Sequence, residues 1–125
     1  MPDTIGTVER SKLFIRGDRE DAVDMGNGVH HLVLGYDDHI LMAKAWFAKG
    51  AVGQLHKHHH SQVVFIAEGK FEVEVAGEKQ VMSAGECFFV PSEAMHGAVC
   101  LEEGLLIDVF SPAREDFING EAYKS

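Results

Sequence analysis

The chain has 125 residues, of which 46% are hydrophobic, so it can form the core of one domain and is too apolar to be disordered. Its formal net charge of −9 argues against binding to nucleic acid or to an anionic membrane surface. It contains no apolar run of the roughly 20 residues that cross a bilayer. The first residues lack the pattern of a signal peptide, and the two cysteines lack C-x-x-C spacing, which together predict a cytoplasmic protein with reduced thiols.

Residues 1–27 are polar and mixed, and we expect them to form an N-terminal extension with one candidate strand, Leu13-Phe14-Ile15. The charged stretch 16–21 that follows is typical of a loop. The extension is longer than a small barrel needs. Its candidate strand is therefore expected to pair with a partner subunit or to cover an apolar outer face.

Residues 28–118 consist of short apolar segments separated by glycine, which predicts one β domain. The segment 71–75 alternates apolar and acidic residues with period two, as a half-buried strand does. Many short strands with glycine turns, here placed at 68–70, 76–78 and 83–85, predict an antiparallel sandwich or barrel. A short C-terminal helix is predicted at 113–118, capped by Ser111 with Pro112 in its first turn, before a tail at 119–125. Further strands are predicted at 29–34, 40–48, 63–67, 79–82, 87–90, 97–101 and 105–110.

The most informative segment is His56-Lys57-His58-His59-His60-Ser61-Gln62. In an extended strand, residues 56, 58, 60 and 62 would share one face, so their side chains could point together into a barrel. Two imidazoles and an amide oxygen can hold a divalent ion, and His96 could complete the set. The alternative is a solvent-facing, histidine-rich loop that binds metal adventitiously. The role of His60 stays open.

Asp108 interrupts the apolar strand predicted at 105–110. A buried carboxylate is costly unless it is paired or functional. If Asp108 faces a cavity together with Leu106 and Phe110, it is a candidate general acid or base. Otherwise it pairs with a cation such as Arg114 and supports the fold. The opposite face would carry Leu105, Ile107 and Val109, and its need for a cover predicts a homodimer.

The spacing His56-x-His58, three residues, Gln62, six residues, Gly69 resembles the first signature of the cupin superfamily. Gly85, five residues, Pro91, four residues, His96 resembles the second. The resemblance implies an all-β, double-stranded β-helix, also called a jelly-roll barrel. It also implies one divalent metal ion held by His56, His58, Gln62 and His96. Most cupins have glutamate where this chain has Gln62. The neutral amide leaves the ion at its full charge, and Ni, Zn, Fe, Co and Mn all suit the donor set.

The run from Asp108 to Phe117 resembles the C-terminal segment of the KdgF-type pectin-degradation cupins, which also have glutamine at the fourth ligand position. That group opens the ring of 4,5-unsaturated uronates released from pectin or alginate. The resemblance implies a small anionic substrate, with Asp108 as acid/base, Phe110 shaping the pocket and Arg114 binding the carboxylate. Two alternatives stay open. One is a cupin dioxygenase or lyase on another small oxygenated acid, and the other is a cupin that binds metal and ligand without turnover.

Overall fold

The computed structural model describes residues 3–5 and 8–119, with side chains from residue 9. These residues form short antiparallel strands, a single 3₁₀ turn at Arg19–Asp21 and one short α-helix. The elements are β1 (Asp3–Ile5), β2 (Val8–Arg10), β3 (Val23–Gly26), β4 (Val29–Tyr36), β5 (Leu41–Phe47), β6 (Val52–His56), β7 (Ser61–Val75), β8 (Glu78–Ser83), β9 (Cys87–Val90), β10 (His96–Ser111) and α1 (Glu115–Ile118).

Two long strands, β7 and β10, organise the barrel. Residues 104–110 of β10 pair with β5, and this half of β10 also pairs with the first half of β7, which carries β9. Residues 96–100 of β10 pair with residues 71–75 of β7, which carry β8, while β6 pairs with the other edge of β10. Each long strand therefore contributes to both layers, and the predicted double-stranded β-helix is confirmed.

The turn predicted at 68–70 is wrong, because β7 runs through it without a break. Gly69 has a φ of +89°, and a Cβ there would lie 2.6 Å from the carbonyl oxygens of Glu102 and Glu103. Glycine here permits the long strands to approach closely where they pass from one layer to the other. Gly104, on the partner strand, is equally crowded by Glu68 and Phe71. The predicted strands 97–101 and 105–110 are likewise joined into β10.

The candidate strand Leu13-Phe14-Ile15 is also wrong. These three residues are exposed and irregular. They lie in an arm that is held to the barrel by hydrogen bonds of the Ser11 amide and the Gly17 carbonyl. The extension instead contributes β1 and β2, which pair with each other, and β3, which extends the main sheet beside β4. The main sheet therefore begins before the predicted boundary at residue 28.

The C-terminal helix is shorter than predicted. Ser111 does not cap it, because β10 extends through Ser111, whose hydroxyl donates to the carbonyl of His39. The backbone N-cap is Arg114. Phe117 and Ile118 pack on a small cluster of buried residues at one end of the barrel, so α1 lies beside the barrel mouth. Most of the predicted tail, 120–125, lies outside the described residues.

The main core fills the space between the two layers. Phe47 and Phe71 meet edge to face in it, with ring centroids 5.4 Å apart, and Val64, Ile66 and Leu106 complete its centre. This packing fixes the inner faces of β7 and β10, from which the polar side chains described below project. In the described part of the chain, no helix has the length and apolarity to cross a membrane.

Candidate metal centre

The four predicted ligands come together at one end of the barrel, although the first three do not lie on a single strand as predicted. His56 ends β6, His58 lies in the following loop, and Gln62 is near the start of β7. Residues 56–62 are therefore not one strand, because β6 pairs with residues 96–99 of β10, whereas the start of β7 pairs with residues 105–111. His96 begins β10 and is paired directly with His56, which places the second signature next to the first.

The three imidazoles share one tautomer, which their hydrogen bonds fix. Each ring places Nδ1 against a backbone carbonyl oxygen, and because a carbonyl only accepts, each Nδ1 carries the proton. The Nε2 lone pairs are then free for a ligand, and the ligand atoms of the three rings lie within 4.8 Å of one another. The contacts are His56 to Gln54 at 2.7 Å, His58 to His60 at 3.0 Å and His96 to Ala94 at 2.9 Å.

Gln62 is oriented by Asp108. Its Nε2 donates to Oδ1 of Asp108 at 2.9 Å, which turns Oε1 toward the histidines, 3.2 Å from Nε2 of His58. Burial, helped by Arg114 and His96, lowers the pKa of His58 to about 4, so that ring is neutral at pH 7. A lone pair on Nε2 of His58 therefore faces a lone pair on Oε1 of Gln62.

Two opposed lone pairs repel unless a cation lies between them, and a buried nitrogen without a hydrogen bond is costly. His96 Nε2 is such an atom, since it is buried and has no hydrogen-bond partner among the described residues. The donor set of three imidazole nitrogens and one amide oxygen therefore fits a divalent transition metal ion. The donors are neutral and do not select among the five candidate metals.

His60 does not join the three imidazoles, although an extended strand would have placed its side chain on the same face as those of His56 and His58. Its backbone carbonyl binds the ring of His58, while its own ring stacks on His59 with centroids 3.8 Å apart. The loop directs Nε2 of His60 toward Glu115 of α1, with the His60 ring centroid 5.4 Å from that of His58.

Asp108 is buried and faces the cavity. Burial raises its pKa to about 6, although the hydrogen bond from Gln62 and the charge of Arg114 act in the opposite direction. The cavity has a volume of about 170 Å³ and is lined by His56, Gln62, His96, Asp108, Phe110 and Arg114 among others. The predicted face of Leu106, Asp108 and Phe110 thus points inward. Asp108 accepts a hydrogen bond from Gln62, whereas the alternative interpretation had it paired with a cation such as Arg114.

Arg114 lies at the cavity but has a partner that the sequence analysis missed. Its Nε and Nη2 donate to the two carboxylate oxygens of Asp116 at 2.9 and 2.6 Å. The guanidinium carbon lies 5.2 Å from the ring centre of Phe110 and 4.3 Å from that of Phe117. The bidentate contact holds Arg114 in one orientation and leaves Nη1 for a ligand.

A double-stranded β-helix that brings together three imidazoles and an amide oxygen defines a barrel of the cupin type with a candidate metal centre. Residues 45–110 match the family described as "Cupin domain", and the chain belongs to this family. It is 42% identical to the "Pectin degradation protein KdgF" of Dickeya dadantii (strain 3937) over 97 residues, which cover 76% of this chain and 88% of that protein.

Two solved structures show the same likeness. The structure of KdgF from Halomonas sp. has a TM-score of 0.79 and 38% identity, with 85% of this chain and 97% of that chain covered. An RmlC-like cupin from Shewanella frigidimarina NCIMB 400 has a TM-score of 0.83 and 47% identity, with 86% and 97% covered. The resemblance to the KdgF-type cupins is thereby confirmed.

Proposed function

We propose that the protein is a metal-dependent enzyme that opens the ring of 4,5-unsaturated uronates, the products of pectin or alginate breakdown. The observation that carries the proposal is a buried carboxylate, Asp108, that faces the cavity and hydrogen-bonds Gln62 of the metal centre. The 42% identity to a protein named for pectin degradation supports this substrate class. A cytoplasmic location, predicted from the sequence, is part of this proposal.

The cavity suits a small, hydroxylated anion in spite of the chain's net charge of −9. Arg114 contributes a local positive charge, and Nη1 can donate to the substrate carboxylate. The guanidinium packs against the rings of both Phe110 and Phe117, so the charge is fixed in place before a ligand arrives. Asp116 adds a second restraint on the same group.

A bound divalent metal would supply Lewis acidity toward the oxygen atoms of the substrate. Asp108, as carboxylate, accepts the proton of the anomeric hydroxyl while the bond between the anomeric carbon and the ring oxygen breaks. The ring oxygen leaves as the enolate oxygen at C5. Asp108 then returns the same proton to C4 as the enolate becomes the C5 ketone, which gives the linear keto-aldehyde. The reaction is an isomerisation and needs no co-reactant. A pKa of about 6 allows Asp108 to exchange protons near neutral pH.

The test is the loss of the unsaturated uronate chromophore. We expect the metal-loaded protein to accelerate the decay of absorbance of enzymatically prepared monomer, and metal-stripped protein to lose that effect. A rate equal to the spontaneous one for both pectin- and alginate-derived monomers would contradict the proposal. Oxygen consumption with an iron-loaded protein would favour the dioxygenase alternative, and tight ligand binding without turnover would favour the binding protein.

We also propose that the protein is a homodimer, with the outer face of β5, β10, β7 and β9 as its interface. Four apolar residues of this face are exposed: Met42 40%, Val63 42%, Phe65 45% and Phe89 57%. Met42, Val63 and Phe89 lie in one row, joined through Val109 of β10. Leu105, predicted to need a cover, is already buried by this chain, whereas Ile107 and Val109 are half-buried.

A face that is continuous, flat and apolar can meet a second copy of itself across a two-fold axis. Val63→Glu would place a charge at the centre of this interface, and we expect it to shift the protein from dimer to monomer in sedimentation. Val81→Glu is a matched control, because Val81 is also an exposed strand valine but lies on β8, in the other layer. A wild-type protein that sediments as a 13.8 kDa monomer at micromolar concentration would contradict the proposal.

A further inference from the structure

We propose that the loop after β6 and the helix α1 form a second divalent cation site, with His59, His60 and Glu115 as its ligands. The three side chains each offer one ligand atom, and these atoms all lie within 4.8 Å of one another. This group shares no ligand with the centre formed by His56, His58 and His96. The proposal does not depend on the uronate reaction.

The observation that points to a ligand is the burial of the His60 ring without a hydrogen-bond partner among the described residues. The residue is 5% exposed, and both of its ring nitrogens are buried with no hydrogen-bond partner among the described residues. Buried polar atoms are nearly always paired, because removing them from water without a partner is costly. A neutral imidazole always has one nitrogen with a free lone pair, which a metal ion can use.

The distances fit coordination better than a hydrogen bond. Nε2 of His60 lies 3.6 Å from a carboxylate oxygen of Glu115, which is too far for a hydrogen bond. Metal–ligand distances of roughly 2.0–2.2 Å in a tetrahedral zinc site place neighbouring ligand atoms about 3.3–3.6 Å apart. The pair therefore needs only a small adjustment to share one ion. His59 and Glu115 are exposed, so a water molecule can complete the tetrahedron.

The local charges also favour a cation. Two neutral imidazoles and one carboxylate reduce a divalent ion to a net charge of about +1, which suits a partly exposed site. Arg114, directly before Glu115, carries a positive charge, but its guanidinium is paired with both oxygens of Asp116, which offset part of that charge at this group. Imidazole nitrogen and carboxylate oxygen together are typical ligands of zinc.

Such an ion would connect the two elements that border the cavity. His60 lies in the loop whose carbonyl orients the ring of His58, and Glu115 lies in α1, directly after Arg114. Binding at this site would hold α1 against the loop and restrict the positions of both His58 and Arg114. The second ion would therefore hold the loop and α1 together at the barrel mouth, and it would take no part in proton transfer.

The experiment counts zinc ions by equilibrium dialysis of the full-length, metal-stripped protein against Zn²⁺, followed by metal analysis. We expect two equivalents in the wild type, the second weaker than the first. We expect Glu115→Gln and His60→Gln each to weaken the second equivalent at least about 10-fold, the smallest change typical for the loss of even an outer-shell partner of a metal site. The melting temperature should rise with the second equivalent in the wild type and not in Glu115→Gln.

Two matched variants serve as controls. His39→Gln removes another exposed imidazole, and Glu103→Gln another exposed carboxylate, so both should keep two equivalents. Saturation of the wild type at one equivalent would overturn the proposal. A second equivalent that survives in Glu115→Gln would overturn it as well, because the ion would then be bound elsewhere. Glu115 is exposed, so this variant decides the question even if His60→Gln fails to fold.

Discussion

Replacing Asp108 with asparagine is expected to lower the rate of uronate ring opening by about 10²–10⁴-fold, the usual contribution of a general acid or base. Asparagine has nearly the same shape, and its Oδ1 can still accept the hydrogen bond that Nε2 of Gln62 makes at 2.9 Å. The amide oxygen of Gln62 should therefore keep its orientation toward His58. The substituted amide cannot take up or release a proton, so the loss should fall on turnover and spare metal binding.

The measurement compares turnover, metal content and melting temperature of Asp108→Asn with those of the wild type. Asp38→Asn is a suitable control, since Asp38 is an exposed carboxylate in the turn between β4 and β5. A wild-type rate in Asp108→Asn would reduce Asp108 to a support for Gln62. Loss of metal in this variant would show that the hydrogen bond to Gln62, not proton transfer, is its main contribution.

Much of the fold follows from local sequence because strands with one buried face leave a clear alternation. The segment 71–75 was predicted at its observed position for this reason, and the strand at Cys87–Val90 was predicted from its apolar residues after a glycine turn. Continuity of the long strands was not predictable. A glycine such as Gly69 looks the same in the sequence whether it forms a turn or allows two strands to approach closely. Only the nearby Glu102 and Glu103 in the structure show that it does the second.

The grouping of His56, His58, Gln62 and His96 could be predicted because two spaced signatures carry these residues, whereas the strands and loop that bring them together could not. Strand parity placed His60 with His56 and His58, but the loop turns its ring toward Glu115, 55 residues away in the sequence. The pairing of Arg114 with Asp116 was missed for a related reason. A residue two positions along a short helix has no preferred direction toward its neighbour until the helix is placed.

Replacing His96 with alanine is expected to lower the affinity of the barrel for its metal about 100-fold or more, the upper end of the range known for outer-shell changes. His96 Nε2 is buried, has no hydrogen-bond partner among the described residues, and lies beside His56 on the neighbouring strand. Its removal leaves two imidazoles and the neutral oxygen of Gln62. An amide oxygen is a weak donor compared with imidazole, so the remaining set should release the ion on extensive dialysis.

Metal analysis after dialysis is the measurement, and the variant is best made in a Glu115→Gln background, so that an ion at the proposed second site is not counted. His39→Ala in the same background is the matched control, because it removes an exposed histidine far from the barrel interior. We expect full occupancy in the control and near-zero occupancy in the His96 variant. Full occupancy in both would contradict the assignment of His96 as a ligand. The unpaired, buried Nε2 would then have to be explained by another partner, since an imidazole nitrogen is costly to keep in a barrel interior without one.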